Sequence, residues 1–294
     1  MTAVDERASL VRSRLIERIE RVDLRVRDVP AALRFYRDVV GLEVREESET
    51  RAALASPGGP AFLALDSSGV TRPADPRATG LFHIAIRFPA RSALADALAR
   101  LAASGIPVGA GDHAVSEALY VSDPDGNGVE LYWDRPADEW PAPVPGMIVP
   151  MVTLPVDLQG LLAGGRGGDA VGEPAAPGTD MGHVHLQVSD VDATARFYTQ
   201  EIGLDLTARM GAEAAFLSSN GYHHHLGANT WRSRGGSPAG RDRAGLERIV
   251  FATGPDRLET LRLRLREHGR EVSGDEDRSV VVRDPDGIEL RFQV

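Results

Sequence analysis

Two parts of the sequence follow one pattern: ERVDLRVRDVPAALRFYRDVVGLEV at residues 20–44 and GHVHLQVSDVDATARFYTQEIGLDL at residues 182–206. The common register is marked by three matched pairs, Asp28 with Asp190, Phe35 with Phe197 and Gly41 with Gly203. A register held across a strand, a helix and a glycine turn indicates an internal repeat.

A second pair of segments repeats in the same order. GLFHIAI at residues 80–86 is matched by GLERIVF at 245–251, and SDPDGNGVEL at 122–131 is matched by RDPDGIEL at 283–290. The chain therefore consists of four modules, of which the third copies the first and the fourth copies the second.

Each module is predicted to contain one strand, one helix and three further strands. Apolar and polar residues alternate over 183–188, which is the period of a strand with one buried face. Apolar spacing over 31–39 and 92–103 indicates amphipathic helices. The helices end before four glycines, Gly41, Gly105, Gly203 and Gly269. The sequence DPDG suits a tight turn between the last two strands of modules 2 and 4.

The repeats also predict the domain boundaries. Residues 1–18 form an N-terminal tail, 19–134 a first domain with modules 1 and 2, and 180–294 a second domain with modules 3 and 4. Residues 135–179 are rich in proline and glycine and are expected to connect the halves, with a short helix at 157–163.

Composition excludes several kinds of chemistry. The 294 residues include no cysteine, and all 33 basic residues are arginine, so thiolate metal sites and Schiff-base lysines are absent. The formal net charge of -10 and the scattered arginines argue against nucleic-acid binding. We expect a cytoplasmic protein that binds no membrane, because the sequence has neither a signal-peptide pattern nor an apolar run of spanning length. Histidine must carry most of the chemistry.

Four βαβββ modules in two tandem halves resemble the vicinal oxygen chelate superfamily, which includes glyoxalase I, extradiol dioxygenases, and fosfomycin and bleomycin resistance proteins. The resemblance implies an α+β fold whose mixed, curved sheets form a metal-binding cup. It also implies a homo-oligomer, since members of this superfamily often assemble.

The resemblance places metal ligands on the first and last strands of the modules. The residues at those positions are Arg21 in module 1, His83 and Glu130 in module 2, His183 in module 3, and Arg248 and Glu289 in module 4. A guanidinium is always charged and cannot ligate a cation. Only modules 2 and 3 together supply two histidines and a carboxylate without an arginine. We therefore predict one metal site, between the halves, and a metal-free pairing of modules 1 and 4, although some members pair their modules within each half.

Flanking residues support this choice of ligands. Glu130 lies between apolar Val129 and Leu131, and His83 lies between Phe82 and Ile84, so alternation directs the polar side chains to the other face. His185 shares the face of His183 and is expected to contact substrate rather than metal. Glu289 has no histidine beside it and is expected to have a structural role.

Module 2 also resembles the active-site segment of type I extradiol dioxygenases such as catechol 2,3-dioxygenase. That family has a histidine, then a tyrosine, then the metal-binding glutamate, which correspond here to His113, Tyr120 and Glu130. The family also has a histidine near the metal that handles protons, and His224, within the triplet 223–225, fits it best. His225 as a fourth ligand, as in glyoxalase I, remains an alternative.

The resulting prediction is an extradiol ring-opening dioxygenase of aromatic catabolism. It would use Fe(II), or alternatively Mn(II), with O₂ and a small aromatic diol, because two histidines and a carboxylate leave open coordination positions. His224 would accept and return a proton, while Tyr120 and His113 would donate hydrogen bonds to substrate oxygens. The alternatives are a glyoxalase-like isomerase or lyase using Ni(II), Zn(II) or Mn(II), and a non-catalytic drug-binding resistance protein.

Overall fold

Four modules of helix and strand follow one another in the computed structural model, which describes residues 2–294. The six α-helices are α1 (Ala3–Leu10), α2 (Val29–Tyr36), α3 (Arg91–Ala103), α4 (Leu158–Ala163), α5 (Val191–Arg196), which continues as a π-helical turn over Phe197–Ile202, and α6 (Pro255–Glu267). The strands are β1 (Arg18–Arg25), β2 (Glu43–Glu47), β3 (Arg51–Ala55), β4 (Ala61–Asp66), β5 (Gly80–Arg87), β6 (Gly109–Asp112), β7 (Ser116–Ser122), β8 (Gly128–Asp134), β9 (Asp180–Gln187), β10 (Asp205–Met210), β11 (Ala214–Ser218), β12 (Leu226–Asn229), β13 (Gly245–Ala252), β14 (Ser279–Arg283) and β15 (Glu289–Gln293).

The strands form two sheets, and each sheet takes one module from each half of the chain. The seven-stranded sheet has the order β14-β15-β13-β1-β4-β3-β2, and the eight-stranded sheet has the order β10-β11-β12-β9-β5-β8-β7-β6. At their centres β1 pairs antiparallel with β13, and β5 pairs antiparallel with β9. Modules 1 and 4 therefore share one sheet and modules 2 and 3 share the other, which confirms the pairing predicted from the positions of the arginines.

Module 4 departs from the expected three strands after its helix. Only β14 and β15 form there, and the segment before β14 makes a single bridge between Ser273 and Val281. Gly274 has a φ of 108°, and a Cβ at this position would lie 2.6 Å from the Ser279 carbonyl oxygen. The chain turns too tightly there to extend into a longer strand.

Matching bulges interrupt the central ladder of both sheets. Phe82 and Gly182 are the extra residues where β5 meets β9, and Glu20 and Glu247 hold the same places where β1 meets β13. A bulge breaks strict alternation. Phe82 therefore lines the same cavity as His83, and the expectation from alternation that it faces the other way is wrong.

Buried tyrosines tie the modules of each half together. The Tyr36 hydroxyl of α2 donates to Asp123 in the DPDG turn of module 2, and the Tyr198 hydroxyl donates to Asp284 in the turn of module 4, each at 3.1 Å. The two tyrosine contacts lie within each half of the chain, whereas the β1–β13 and β5–β9 ladders join the two halves to each other. The four modules consequently share one hydrophobic core.

The predicted connection between the halves is structured over much of its length. α4 begins after Asp157, whose carboxylate accepts from the Gly160 N–H, so the predicted short helix is confirmed. Residues 147–154 lie against the eight-stranded sheet, where Leu154 pairs with Asp112 and the Val149 N–H donates to the Thr207 carbonyl. No helix within residues 2–294 is long and apolar enough to cross a membrane.

In the seven-stranded sheet, an ion-pair network lies where the other sheet has its histidines. The Arg248 guanidinium contacts Glu289 and lies 3.1 Å from Asp23, while Arg21 lies 2.6 Å from Asp23. Arg283 is a second partner of Glu289 at 2.8 Å. A guanidinium between two carboxylates supplies positive charge at the place that the histidines occupy in the other sheet.

We expect Arg248→Met to destabilise this sheet. The side chain of Arg248 is 29% exposed, and its removal leaves Asp23 and Glu289 facing each other, at a cost of about 1–2 kcal/mol. The unfolding midpoint should fall by several degrees in a thermal melt. Arg51→Met, at an exposed ion pair with Asp66, is the control and should leave it nearly unchanged. An unchanged midpoint for Arg248→Met would show that the network contributes nothing.

Candidate active site

Two histidines and one glutamate from three neighbouring strands meet in the eight-stranded sheet. The strand register places Ala85 of β5 opposite both Glu130 of β8 and His183 of β9. Glu130 Oε2 lies 2.8 Å from His83 Nε2 and 3.2 Å from His183 Nε2. All three side chains are buried, and one potential ligand atom from each lies within 4.8 Å of the others. The structure thus brings together the three residues predicted to bind metal.

The charges in this cluster suit a divalent cation. Burial raises the pKa of Glu130, but the neighbouring His183 and His83 outweigh this effect and hold that pKa well below its usual range. Burial lowers the pKa of His183 to about 4. At neutral pH, Glu130 is therefore a carboxylate and His183 a neutral imidazole, the protonation states that metal binding requires.

Two nitrogens of the cluster, His83 Nε2 and His183 Nδ1, have no hydrogen-bond partner within residues 2–294. His83 Nε2 is buried, and although Glu130 Oε2 lies near it, their geometry is not that of a hydrogen bond, so this atom is unsatisfied within the described part of the chain. Buried polar atoms are rarely left unpaired. An unpaired imidazole nitrogen beside a carboxylate and a second imidazole fits a bound metal ion.

His185 faces the same cavity as the cluster. It lies opposite His83 in the β5–β9 ladder, and its Nε2 is also buried without a partner among residues 2–294. Gly227 of β12 allows this position, because a Cβ there would lie 2.8 Å from the His185 ring. Burial lowers the pKa of His185 well below its usual range, so the imidazole is neutral and available to a ligand in the cavity.

His113 and Tyr120 form a hydrogen-bonded pair at the cavity wall. His113 Nε2 lies 2.6 Å from the Tyr120 hydroxyl oxygen, and His113 Nδ1 lies 2.7 Å from the Val152 carbonyl oxygen. Burial, followed by the charge of Glu130, raises the pKa of Tyr120 well above its usual range. The phenol therefore stays protonated.

The histidine triplet lies in the turn before β12, and each ring has a different environment. His224 lines the cavity, with its ring centroid 4.2 Å from that of His183. His223 Nδ1 lies 2.7 Å from His224 Nδ1, and His223 Nε2 lies 2.8 Å from Asp134 Oδ1. His225 Nδ1 accepts a hydrogen bond from the Ser219 N–H instead.

A chain of contacts runs from Asp134 through His223 to His224, and it bears on which ring nitrogens carry protons. Burial raises the pKa of Asp134, but His223 and Arg87 outweigh it, so the carboxyl is ionised and can only accept. In the tautomer in which His223 donates from Nε2 to Asp134 and accepts at Nδ1, His224 donates from its own Nδ1. Burial keeps His224 neutral by lowering its pKa well below the usual range. In that arrangement His224 Nε2 is left as a proton acceptor.

A cavity of about 360 Å³ connects these groups. Its polar lining consists of the triad and six further residues, His113, Ser116, Tyr120, Thr153, His185 and His224. Its apolar lining consists of Phe82, Met151, Val152, Met210, Phe216 and Trp231, and the Phe216 ring lies 5.0 Å from that of His224. A pocket that combines convergent polar groups with an apolar surface suits a small, partly apolar ligand.

Several of these residues were missed by sequence reasoning. Phe82 enters the cavity through a bulge, and Met151 and Val152 belong to the segment predicted to be only a connection. Asp134 ends β8, four residues after Glu130 and on the same face, a spacing that could have singled it out. Its contact with His223, 89 residues away, depends on the tertiary fold.

Comparison with known proteins agrees with this architecture. The Glyoxalase/Bleomycin resistance protein/Dioxygenase superfamily model matches residues 18–131 and 180–292. A catechol-2,3-dioxygenase of Bacillus subtilis (strain 168) is 40% identical over 266 residues, which are 89% of this chain and 92% of that protein. A biphenyl-2,3-diol 1,2-dioxygenase 3 of Rhodococcus globerulus is 33% identical over 127 residues, 38% of this chain and 60% of that protein.

The fold is also shared with a solved structure of low sequence identity. Glyoxalase I from Zea mays has a TM-score of 0.54 at 17% identity, over 94% of this chain and 92% of that chain. The superfamily expected from the four modules is confirmed. This chain belongs to the Glyoxalase/Bleomycin resistance protein/Dioxygenase superfamily and is a homologue of catechol-2,3-dioxygenase.

Proposed function

We propose that this protein is an extradiol dioxygenase that opens the ring of catechol or a substituted catechol with O₂, using Fe(II). The observation that carries this proposal is the three-ligand cluster of His83, Glu130 and His183, which opens onto a cavity lined by His113, Tyr120 and His224. The relation to catechol-2,3-dioxygenase supports the same activity.

The cluster would hold Fe(II), with Mn(II) as the alternative ion. Two imidazoles and one carboxylate are the donors that non-haem Fe(II) oxygenases use, and they leave positions open for other ligands. A bound Fe(II) supplies Lewis acidity toward the diol and the redox chemistry that O₂ requires. Glu130, with its depressed pKa, offsets the positive charge of the ion.

Tyr120 and His113 would position the diol. A carbonyl oxygen can only accept, so a neutral His113 donates from Nδ1 to Val152 and accepts the Tyr120 proton at Nε2. The Tyr120 oxygen then has lone pairs free toward the cavity. In this state Tyr120 would accept a hydrogen bond from a diol hydroxyl, whereas the family resemblance implies that Tyr120 donates one.

His224 would act as the general base. Its neutral imidazole has Nδ1 engaged with His223, so Nε2 is the nitrogen that can take a diol proton and later return it. Asp134 stabilises the single positive charge that His224 gains with this proton, because the Asp134 carboxylate accepts a hydrogen bond from His223. A positioned base of this kind contributes roughly 100- to 10,000-fold to a rate.

The alternative functions have less support. A glyoxalase-like site with four protein ligands would need His225, but this ring is hydrogen-bonded to Ser219 and is not among the cavity-lining residues that the structure describes. A non-catalytic binding protein has no need of a buried triad with a proton acceptor, His224, beside it.

The cytoplasmic location, the homo-oligomer and the domain boundaries at 19–134 and 180–294 stay predictions.

Oxygen uptake tests the proposed activity. Protein purified anaerobically and reconstituted with Fe(II) should consume about one O₂ per catechol and form a yellow ring-opened semialdehyde, followed by an oxygen electrode and by absorbance. Protein treated with a chelator and protein loaded with Zn(II) are the controls and should be inactive. If no catechol drives oxygen uptake while the hemithioacetal of methylglyoxal and glutathione is isomerised, the site is that of a glyoxalase.

A further inference from the structure

We infer that the diol accepted by this site carries an uncharged, apolar substituent, an inference that rests on the proposed function. The substituent would lie on the apolar wall, defined here as Phe82, Met151, Met210, Phe216 and Trp231. The diol itself would face the triad of His83, Glu130 and His183.

The size of the cavity leaves room beyond the diol ring. Its volume of about 360 Å³ falls within the range of about 300–1,000 Å³ found for pockets that bind drug-sized molecules. Catechol has only eight non-hydrogen atoms, too few to cover both the polar and the apolar lining residues. An additional group is needed to remove the apolar wall from water, which is the favourable step in binding.

The cavity offers no cation to an acidic substituent. Among residues 2–294, the cavity-lining set includes no arginine, and the sequence has no lysine. The carboxylate of Glu130 faces the same space. A substrate carboxylate would lose its hydration on the apolar wall without gaining a partner, which is costly.

Two arginines are chain neighbours of apolar cavity-lining residues, but neither is itself a cavity-lining residue. Arg209, beside Met210, lies 2.7 Å from Asp192 in an ion pair. Arg232, beside Trp231, lines an adjoining groove that shares Phe82, His83 and Tyr120 with the cavity, and Arg232 is not itself among the cavity-lining residues. Neither supplies a charge inside the cavity.

The apolar wall continues to an open mouth. Val152, Met210 and Trp231 line the cavity and are still 43%, 48% and 45% exposed. The Trp231 ring lies edge-on against Phe82, with centroids 5.3 Å apart, so aromatic contact fixes its orientation. Exposed apolar side chains at a cavity mouth indicate a surface that a ligand covers. A branched alkyl or aryl substituent fits it.

Matched probes test the inference, because an isopropyl group and a carboxylate have similar shapes. The probes are 3-isopropylcatechol against 2,3-dihydroxybenzoate and 4-isopropylcatechol against 3,4-dihydroxybenzoate, with catechol as the reference. For at least one ring position, kcat/KM of the isopropyl probe should exceed that of catechol by about tenfold. Both carboxylates should fall at least about tenfold below catechol.

The outcomes separate this inference from the proposed function. If kcat/KM of a carboxylated probe equals or exceeds that of both catechol and its isopropyl partner, the inference is overturned while ring cleavage stands. Equal kcat/KM for all five compounds also overturns the inference. Failure of every compound, catechol included, overturns the proposed function itself. Anaerobic equilibrium binding of the same probes to the Fe(II) protein should give the same order as kcat/KM.

A substitution at the mouth tests where the substituent lies. Met210→Arg places a cation on the apolar wall and should raise kcat/KM for a carboxylated probe relative to its isopropyl partner by about tenfold. Leu263→Arg is the matched control, because Leu263 is similarly exposed (51%) but lies on α6. It should leave the ratio unchanged. An unchanged ratio for Met210→Arg would place the substituent elsewhere.

Discussion

Glu130→Gln is expected to abolish stoichiometric iron binding and, with it, oxygen uptake. The carboxylate is the single anionic donor of the triad, and its neighbours His83 and His183 are arranged around its Oε2. Glutamine keeps the size of the side chain but removes the charge that attracts the cation. Affinity for Fe(II) should fall by more than about 100-fold, since even substitutions outside the ligand set cost about 10- to 100-fold.

Iron content after anaerobic reconstitution and desalting is the measurement, taken by elemental analysis. The matched control is Glu289→Gln, which alters the glutamate at the corresponding place in module 4, where Arg248 and Arg283 are its partners. The control should retain iron, and a thermal melt should show that Glu130→Gln remains folded. Loss of iron from Glu289→Gln with retention in Glu130→Gln would move the metal site to the other sheet.

His224→Ala is expected to lower kcat by about 100- to 10,000-fold while iron content stays at the wild-type level. His224 lines the cavity with Nε2 free, and it is not one of the three residues whose ligand atoms converge. The substitution removes the proposed proton acceptor and leaves the triad in place. Single-turnover kinetics should show a slower chemical step with little change in substrate binding. Iron loss that accounts for the whole effect would identify His224 as a ligand instead.

Asp134→Asn should also lower kcat, by a smaller factor than His224→Ala. An asparagine can donate to His223 Nε2, which would reverse the hydrogen bonds along the chain and put a proton on His224 Nε2. Asp180→Asn is the control, because Asp180 shares Arg87 with Asp134 and makes no hydrogen bond to His223 within residues 2–294. Equal loss of kcat in both variants would show that only the charge around Arg87 matters.

Much of the architecture could be predicted from local sequence patterns. Period-two strands, amphipathic helices and the glycines after them depend on neighbouring residues, and Gly41, Gly105, Gly203 and Gly269 all have positive φ as helix-ending positions require. The repeat added what a single module could not show. His83 corresponds to Arg248, and His183 corresponds to Arg21, so charge alone distinguished the two sheets before any contact was known.

Alternation was a poor guide wherever the ladder is irregular. Bulges at Phe82 and Gly182 depend on the partner strand, and Gly182 is needed because a Cβ there would lie 1.7 Å from the Tyr132 hydroxyl oxygen. No local pattern contains that information. The triplet at 223–225 precedes its strand, so a strand rule does not apply to it.

The four modules, their pairing across the halves and the three residues that converge as the candidate metal site could all be predicted from the sequence. These follow from periodicity and from the rule that an arginine cannot ligate a cation. The tertiary structure alone decided which histidine of the triplet faces the cavity, which carboxylate orients it, and which apolar side chains close the cavity. Those features are contacts between residues far apart in the chain, and their geometry is set by packing rather than by any local preference.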